Sequence, residues 1–465
     1  MIDPAEGLLI SVSPGETRIA LIEGGRLAEL WIDRVADRSR VGDVFRGRVG
    51  KVDAGLQGAF VDLGAPGTGF LGFEGGGSRV REGDAVTVQV VRDAEDGKSL
   101  GLRTRIELGG RLVVFNPIGG EIAVSRRIPA ANERERLRTV LLDAAIGDEG
   151  WLARTAAAGV GDDEVIDEME ELRAAVAEWP SQTTVPCLLY REPDAVSRAL
   201  RDLTYEGMTA ILVDDGPTLT AARRYAETHF PDLVPLIVRY DGREALLARV
   251  EDELARGLAR RIMLPGGGAL TFDSTTALTA VDVDFGSAPG VGRRNPVDIN
   301  LAAADEIARQ IRLRDIGGLI VIDFIRMRDR ADRDRLIETM AAAVEHDRLP
   351  VQVMGMTRAG LVEILRPRGR VGLRTLMERA CPVCEGTGAT PAPAAAALEA
   401  LRRVVAAGPG RAASIAAAPD VAQALAESGA APIAEAGTLI GGTITVETDD
   451  SLLPGTFEIR GEGRG

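Results

Sequence analysis

The sequence lacks the features of disulfide-rich, membrane-spanning and secreted proteins. Only three of its 465 residues are cysteine, which cannot build a disulfide framework. No apolar run approaches the roughly 18 residues that a membrane-spanning helix needs. The N-terminal stretch MIDPAEGLLISVSP has neither the basic segment nor the cleavage site of a signal peptide. We therefore expect a cytoplasmic protein without a membrane segment.

Basic residues are in the minority, and nearly all of them are arginine. The formal net charge is −15, and Lys51 and Lys98 are the only lysines among 55 basic residues. This acidic balance argues against indiscriminate coating of nucleic acid, although binding depends on local patches rather than on net charge. A codon bias accounts for the arginines, which also suit bidentate contacts with phosphate.

The sequence also lacks the residue patterns of nucleophilic catalysis. Its two histidines, His229 and His346, lie near the ends of predicted helices and are expected to be exposed. No Ser/His/Asp or Cys/His constellation and no Gly-rich phosphate loop is convincing. This absence favours metal-assisted hydrolysis over nucleophilic catalysis.

Residues 273–326 predict a strand, a helix and a second strand. Asp282 and Asp284 lie at the end of the apolar stretch that starts at Leu278, and Asp323 directly follows the apolar run 319–322. Between them a helix is predicted to start at Asn300 as N-cap, with apolar residues three and four positions apart. A helix between two buried strands implies adjacent parallel strands whose carboxyl ends lie side by side.

Asp282 and Asp323 could therefore converge on one divalent cation. Two close carboxylates repel each other unless an ion or a proton lies between them. Mg²⁺ suits such a pair because it prefers hard oxygen ligands and completes its shell with water and substrate phosphate. The alternative is that both strands end in aspartate only because the chain leaves for solvent there.

The strings DSTTALTAVDVD and NLAAADEIARQIRLRDIGGLIVIDFI resemble the catalytic domain of the ribonuclease E/G family. The resemblance implies that Asp282 and Asp323 hold a catalytic Mg²⁺ and that Asp284 acts beside the scissile phosphate. In the family, asparagine is usual at the position of Asp284, an acidic residue at that of Arg326, and a more polar stretch at Met354–Met356.

The resemblance covers essentially the whole chain and implies a multidomain α/β fold. The expected segments are an RNase H-like scaffold in two parts (1–38 and 196–258), an OB-fold barrel (39–107), a 5′-sensor subdomain (108–195), a DNase I-like catalytic α/β domain (259–378), a zinc-link (379–390) and a small C-terminal α/β subdomain (391–465). A C-terminal scaffold that recruits other proteins, present in some members, is expected to be absent.

Five short predicted strands with glycines at their corners indicate the barrel independently. Phe60 and Phe70 fall on successive strands, and Lys98 on a later loop. On the open face of an OB-fold, aromatic rings stack on bases at roughly 1–3 kcal/mol per base, although either ring could instead be core. The resemblance implies that all three residues contact single-stranded RNA.

The stretches GGRLVVFNPIGGEIAVSRRI and GWLARTAAAGVG resemble the part of the family that recognises the 5′ end of RNA. A terminal monophosphate needs a guanidinium fork with hydroxyl and backbone donors, which the resemblance assigns to Arg154 and Thr155. Backbone near Gly110 and Val114 would hold the terminal base, with Arg126 in a supporting position. Without the resemblance, an Arg-Thr pair would indicate only surface or packing.

Arginines are concentrated between residues 357 and 380, the best basic patch in the sequence. They are Arg358, Arg366, Arg368, Arg370, Arg374 and Arg379. Arginines on a loop beside a metal site could hold the RNA backbone, and a solvated loop is the alternative. The resemblance puts Arg358 near the active site.

Cys381-Pro-Val-Cys384 is half of a zinc knuckle, because no second CxxC or nearby histidine accompanies it. The spacing alone leaves zinc binding and redox chemistry open. The resemblance implies one structural Zn²⁺ shared by two chains, and hence a zinc-linked homodimer, possibly a dimer of dimers (homotetramer).

The function implied by the resemblance is Mg²⁺-dependent endonucleolytic cleavage of single-stranded RNA, with sensing of a 5′-monophosphate, in RNA processing (including rRNA) and mRNA decay. Asp284, Arg326 and residues 354–356 leave an alternative open, an RNA-binding homologue with weak or no cleavage. A zinc-linked scaffold that does not bind RNA is a third possibility.

Overall fold

The computed structural model describes residues 5–73, 80–94, 98–179, 184–286, 295–384, 386–408, 412–427 and 430–461. The chain divides into two compact units, residues 1–377 and 378–465. None of the helices in these ranges is long and apolar enough to cross a membrane.

The strands described in the first unit are β1 (Gly7–Ser13), β2 (Glu16–Glu23), β3 (Arg26–Arg34), β4 (Val44–Asp53), β5 (Gly58–Asp62), β6 (Thr68–Gly72), β7 (Ala85–Arg92), β8 (Leu100–Arg103), β9 (Leu108–Gly109), β10 (Val113–Asn116), β11 (Ile122–Val124), β12 (Gly150–Ala153), β13 (Cys187–Tyr190), β14 (Ala210–Val213), β15 (Ile237–Arg239), β16 (Arg261–Met263), β17 (Ala269–Ser274), β18 (Leu278–Asp284), β19 (Gly318–Asp323), β20 (Gln352–Met356) and β21 (Leu361–Arg366). Its α-helices are α1 (Ala131–Ala144), α2 (Asp162–Ala177), α3 (Ala195–Asp202), α4 (Gly216–His229), α5 (Glu251–Leu258), α6 (Pro296–Arg314), α7 (Arg330–Val344) and α8 (Leu373–Met377).

A five-stranded sheet of order β15-β14-β1-β2-β3 forms the scaffold of this unit. β1, β2 and β3 are an antiparallel meander, while β14 and β15 run parallel to β1. One face packs against α3 and α4, and the other buries residues of α6 and α8. Because both faces are covered, the sheet is an internal support rather than a surface.

The predicted barrel is confirmed. β4, β5, β6, β8 and β7 are paired in that order, and β7 closes the barrel by pairing with β4. β13 pairs antiparallel with residues 44–46 of β4. A separate four-stranded sheet, β11-β12-β10-β9, packs against α1 and α2.

A mixed six-stranded sheet of order β16-β17-β18-β19-β21-β20 contains the predicted βαβ unit. β18 and β19 are adjacent and parallel, and α6 connects them. One face of the sheet packs on α6 and α7. The opposite face carries exposed side chains, including Leu319, Met354 and Leu365.

The predicted start of α6 is wrong. The helix begins at Pro296, and Asn295 is the N-cap, since its side chain accepts a hydrogen bond from the Val297 N–H. Proline suits the first helical position because its missing N–H would have no partner there. Asn300 instead lies inside the helix and is fully buried.

The second unit is a small α/β fold. Its described elements are α9 (Pro393–Ala406), β22 (Ala413–Ala417), α10 (Pro419–Glu427), α11 (Ala430–Ile440), β23 (Ile444–Thr448) and β24 (Phe457–Gly461). β22 lies between parallel β23 and antiparallel β24, so the chain forms the predicted β-α-β segment there. The subdomain names and boundaries implied by the resemblance remain predictions.

Candidate active site

Two aspartates lie at the ends of neighbouring parallel strands. Asp282 of β18 and Asp323 of β19 are direct register partners. Both are exposed, whereas the preceding residues, Val281 and Ile322, are buried on the other face of the sheet. Because paired strands lie about 4.8 Å apart, the two carboxylates project from one face at the same level. The structure thus brings the two residues together as the βαβ reading predicts.

Asp284 lies on the same face, two residues further along β18. Its carboxylate accepts hydrogen bonds from the Arg261 guanidinium at 2.9 Å and from the Gly286 N–H at 2.6 Å, and a second Arg261 nitrogen lies 2.7 Å from it. Partial burial works against ionisation, but these contacts lower the pKa of Asp284 below its usual value. Asp284 is therefore an ionised group that already has a cationic partner.

The pKa of Asp282 is shifted in the opposite direction. Partial burial raises it, and the negative charges of Asp284 and Asp323 raise it further, while Arg261 offsets only part of this effect. Among the charged groups that act on Asp282, the carboxylates of Asp284, Asp323 and Asp273 outnumber the one guanidinium, that of Arg261, so negative charge is in excess around Asp282. The excess favours a bound cation.

Within the described ranges, no three His, Cys, Asp or Glu side chains form a group that could hold a metal ion. Asp282 and Asp323 could supply two protein ligands to an ion, with water and substrate at the other positions. This division fits Mg²⁺, which usually keeps several waters.

The side chain of Asn300 binds the backbone of the loop that follows Asp323. Its side-chain amide donates to the carbonyl of Ile325 at 2.7 Å, and its carbonyl accepts from the N–H of the same residue at 3.1 Å. Buried backbone groups of this kind need partners. Asn300 thus couples α6 to the loop that follows β19.

The hairpin between β20 and β21 reaches the same edge of the sheet. Leu361 is the register partner of Asp323, and the Gly360 N–H closes the turn on the carbonyl of Thr357 at 3.0 Å. Arg358 is exposed in this turn, and Arg326 is exposed just beyond β19. Two guanidinium groups therefore lie on loops at the aspartate end of the sheet.

The reading of the arginine run as one basic patch is wrong. Arg366 is buried and forms ion pairs with Asp315 and Asp347, each at 2.7 Å. Arg370 lies over the ring of Trp31, 4.0 Å from its centroid. These two arginines stabilise the interior.

Phe60 and Phe70 are register partners on β5 and β6 of the barrel. Their ring centroids are 5.3 Å apart at an interplanar angle of 62°. Both rings are half-buried and lie outside the barrel core. Lys98 is exposed two residues before β8, the strand that pairs with β6. The barrel therefore presents two adjacent rings at its surface.

Arg154 and Thr155 directly follow β12. Arg154 donates to the Gly110 carbonyl at 2.6 Å and to Asp202 at 2.9 Å, and its side chain remains 28% exposed. The Thr155 hydroxyl lies 3.0 Å from that of Ser125. The structure thus brings Arg154, Thr155 and Gly110 together, with part of the guanidinium open to solvent.

The backbone that follows Gly110 is bound by a carboxylate from elsewhere in the chain. Glu168 of α2 accepts hydrogen bonds from the N–H groups of residues 111–113 at 2.7 to 2.8 Å. A Cβ at Gly110 would come within 2.4 Å of the Glu168 carboxylate, so a side chain there would require Glu168 to move. Val114 is half-buried on β10, and Arg126 is exposed in the turn after β11.

Cys381 and Cys384 lie in a turn of the second unit. Hydrogen bonds from the Cys384 and Val383 backbone lower the pKa of the Cys381 thiol. The Thr387 N–H and hydroxyl bind the Cys384 carbonyl at 2.8 and 2.7 Å, and Gly386 has a φ of 88° that favours glycine. The turn thus brings the two thiols of one chain into contact with each other.

Sequence reasoning missed Arg261 and Glu168 and gave Asn300 the wrong role. Alternation of buried Ile262 and Leu264 with exposed Arg261 was a usable signal for a strand. Its pairing with β17 depends on the register of a glycine-rich turn, which the pattern does not specify. The contact between Glu168 and residues 111–113 joins distant segments and has no local signal.

Comparisons with known proteins identify relatives of the chain. A sequence profile of the ribonuclease E/G family matches residues 107–369. Ribonuclease G of Escherichia coli K12 is 35% identical over 427 residues, which cover 86% of this chain and 87% of that protein. Ribonuclease G of Haemophilus influenzae is 32% identical with the same coverage. Ribonuclease E of Escherichia coli K12 is 32% identical over 82% of this chain and 38% of its own length.

Proposed function

This chain belongs to the ribonuclease E/G family, and we propose that it hydrolyses single-stranded RNA at a Mg²⁺ ion held by Asp282 and Asp323. Its family and its relatives, ribonucleases G and E, indicate an endoribonuclease. The observation that carries the proposal is the register of β18 and β19, which puts the two aspartates side by side.

The two carboxylates suit Mg²⁺ because they are exposed, adjacent and close enough for the charge of Asp323 to raise the pKa of Asp282. When bound, Mg²⁺ would offset the negative charge that develops on the phosphate and make a water molecule more acidic. Asp282 and Asp323 would hold the ion. The products would carry 5′-phosphate and 3′-hydroxyl ends.

Asp284 would act through Arg261. An ionised carboxylate is only an acceptor and cannot donate to a phosphate oxygen. Arg261 is oriented by Asp284 and still has nearly half of its side chain exposed, so its remaining N–H groups would donate to the scissile phosphate. Arg358, in the turn beside Asp323, would contact the next phosphate along the strand.

The barrel and the β9–β12 sheet would bind RNA away from the reacting phosphate. Phe60 and Phe70 would stack on unpaired bases, and Lys98 would contact the backbone. Arg154 and Thr155 would bind a 5′-monophosphate, with Gly110, Val114 and Arg126 around the terminal nucleotide. Because Asp202 already pairs with Arg154, only the exposed part of its guanidinium would serve the phosphate.

Cys381 and Cys384 would bind one Zn²⁺ together with the same residues of a second chain. Structural zinc sites usually have four ligands, and one chain offers two at this turn. The result would be a zinc-linked homodimer, possibly assembled into a dimer of dimers. We assign the enzyme to cytoplasmic RNA processing, including that of rRNA, and to mRNA decay.

A cleavage assay on an unstructured, 5′-monophosphorylated RNA tests the proposal. Cleavage should require Mg²⁺, stop with a chelator and resume when excess Mg²⁺ is added, while RNA binding persists throughout. Full activity in the presence of chelator would contradict the metal site. Binding without any cleavage at saturating Mg²⁺ would instead favour an RNA-binding homologue.

A further inference from the structure

A polar cavity lies in the first unit, and neither Asp282 nor Asp323 lines it. Its volume is about 200 Å³. It is bounded by β3, by α3, by the barrel residues Pro66 and Asp93, and by residues 370–376. Three parts of the fold therefore meet around it.

Four arginines line this cavity: Arg38, Arg40, Arg198 and Arg370. Arg198, on α3, is only 7% exposed, and its buried Nε has no hydrogen-bond partner in the part of the chain that the structure describes. Leaving a buried polar atom unpaired costs free energy, and the cost is larger when the group is charged. An anion bound in the cavity that Arg198 lines could supply the partner that this Nε lacks.

Arg370 adds a second internal cation. The ring of Trp31 holds its guanidinium at 4.0 Å from the ring centroid, and its nearest carboxylate, Asp315, is 3.6 Å away. Burial and the positive charges of Arg348 and Arg198 lower the pKa of Arg370 to about 10. Two guanidinium groups that repel each other therefore face one cavity.

Three carboxylates, those of Asp33, Asp93 and Asp315, line the cavity together with the four guanidinium groups. Asp93 accepts hydrogen bonds from the Ser39 hydroxyl at 2.6 Å and from the backbone N–H of Arg40 at 2.9 Å. Asp315 is paired at 2.7 Å with Arg366, which lies outside the lining. Burial raises the pKa of Asp33, which favours its neutral form, although Arg198 opposes this shift.

We propose that this cavity binds a small oxyanion of the phosphate class, held by Arg198 and Arg370 and completed by the more exposed Arg38 and Arg40. Guanidinium groups match phosphate oxygens in charge and in geometry. The volume favours a phosphate group over a whole nucleotide, since pockets for larger organic ligands occupy about 300–1,000 Å³. The bound anion would link β3, α3 and the segment after β21.

Calorimetric titration of the full chain with inorganic phosphate, without Mg²⁺ and at constant ionic strength, tests this site. With the other proposed phosphate contact removed by Arg154→Ala, we expect saturable binding of one phosphate per chain at the cavity. Arg198→Met and Arg40→Met should each weaken it about tenfold or more, the effect of losing one hydrogen bond to a charged group. Arg40 is exposed, so its variant remains informative if Arg198→Met fails to fold.

Two further variants serve as controls. Arg154→Ala removes the other proposed phosphate contact, so the phosphate that this variant still binds reports on the cavity alone. Arg138→Met removes an exposed arginine of α1 outside the cavity and should bind phosphate like the wild type. In the Arg154→Ala background, competition by adenosine 5′-monophosphate would assign the site to phosphomonoesters, and phosphate binding without competition would assign it to the free oxyanion. No saturable binding by the wild type, or unchanged binding by both Arg198→Met and Arg40→Met, would overturn the proposal.

Discussion

At the scale of single residues, the ion pair with Arg261 limits the contacts that the Asp284 carboxylate can make. The two side chains form a two-point contact on the open face of the sheet. Without Arg261, three carboxylates would stand at one sheet edge, and the electrostatic cost of bringing an RNA phosphate there would rise. In the proposed site, the pair would therefore attract a cation without repelling the substrate.

Arg261→Met should lower kcat by roughly 10²-fold, the effect of removing one donor to a developing oxyanion. The Mg²⁺ concentration for half-maximal activity should stay the same or fall, because the site becomes more negative. Arg260→Met is the matched control, since Arg260 is the preceding residue and pairs with Asp273 rather than with Asp284. Equal kinetics for the two variants would exclude a role for Arg261 at the phosphate.

Arg154→Ala should slow cleavage of 5′-monophosphorylated RNA and leave cleavage of 5′-hydroxylated RNA unchanged. A hydroxyl end offers no phosphate to the guanidinium, so only the first substrate should be affected. Arg154 also pairs with Asp202, and Thr155→Val therefore provides a second variant that keeps this ion pair. An equal loss on both substrates in both variants would assign these residues to folding or to general RNA binding.

At the scale of elements, the sequence predicts the βαβ unit well because its signals are local. Apolar, β-branched runs mark β18 and β19, and connection through a helix requires them to be parallel. The start of α6 was not predicted, because Asn295-Pro296 is the stronger N-terminal signal and Asn300 serves a distant loop. Strand pairings that depend on the register of a turn, such as that of β16 with β17, also cannot be predicted from the local sequence.

Asn300→Leu tests the coupling between α6 and the loop after β19. Each backbone group of Ile325 that loses its partner should reduce the free energy of unfolding by about 1–3 kcal/mol. Cleavage should fall as well, because the strand end that carries Asp323 is no longer fixed. Asp305→Asn, on the exposed side of the same helix, controls for changes in helix charge. Wild-type denaturant unfolding and activity in Asn300→Leu would show that the contact is dispensable.

At the scale of the whole molecule, the proposed RNA contacts and the proposed zinc ligands lie in different units. The first unit contains both aspartates, the barrel rings and the Arg154 region, so one chain contains every proposed RNA contact. The second unit contains the two cysteines in an exposed turn, and the third cysteine, Cys187, lies in β13 of the first unit. Zinc binding would therefore be the property that requires a second chain.

Metal analysis should find about half a zinc per chain, because four thiolates from two chains fill one tetrahedral site. Replacing Cys381 and Cys384 by serine should remove the zinc, weaken the dimer and lower activity if RNA spans both chains. Cys187→Ser is the control and should keep both the zinc and the dimer. One zinc per chain in a monomer, or a metal-free wild-type dimer, would contradict the shared site.

The most direct test of the catalytic assignment compares Asp282→Asn and Asp323→Asn with the wild type. Cleavage of a 5′-monophosphorylated, unstructured RNA and equilibrium binding of the same RNA would be measured across a Mg²⁺ titration. We predict that both variants lose Mg²⁺-dependent cleavage and keep nearly wild-type RNA binding, because each retains only one of two adjacent ligands. Asp305→Asn should cleave like the wild type. Robust cleavage by either strand-end variant at saturating Mg²⁺ would contradict the metal site.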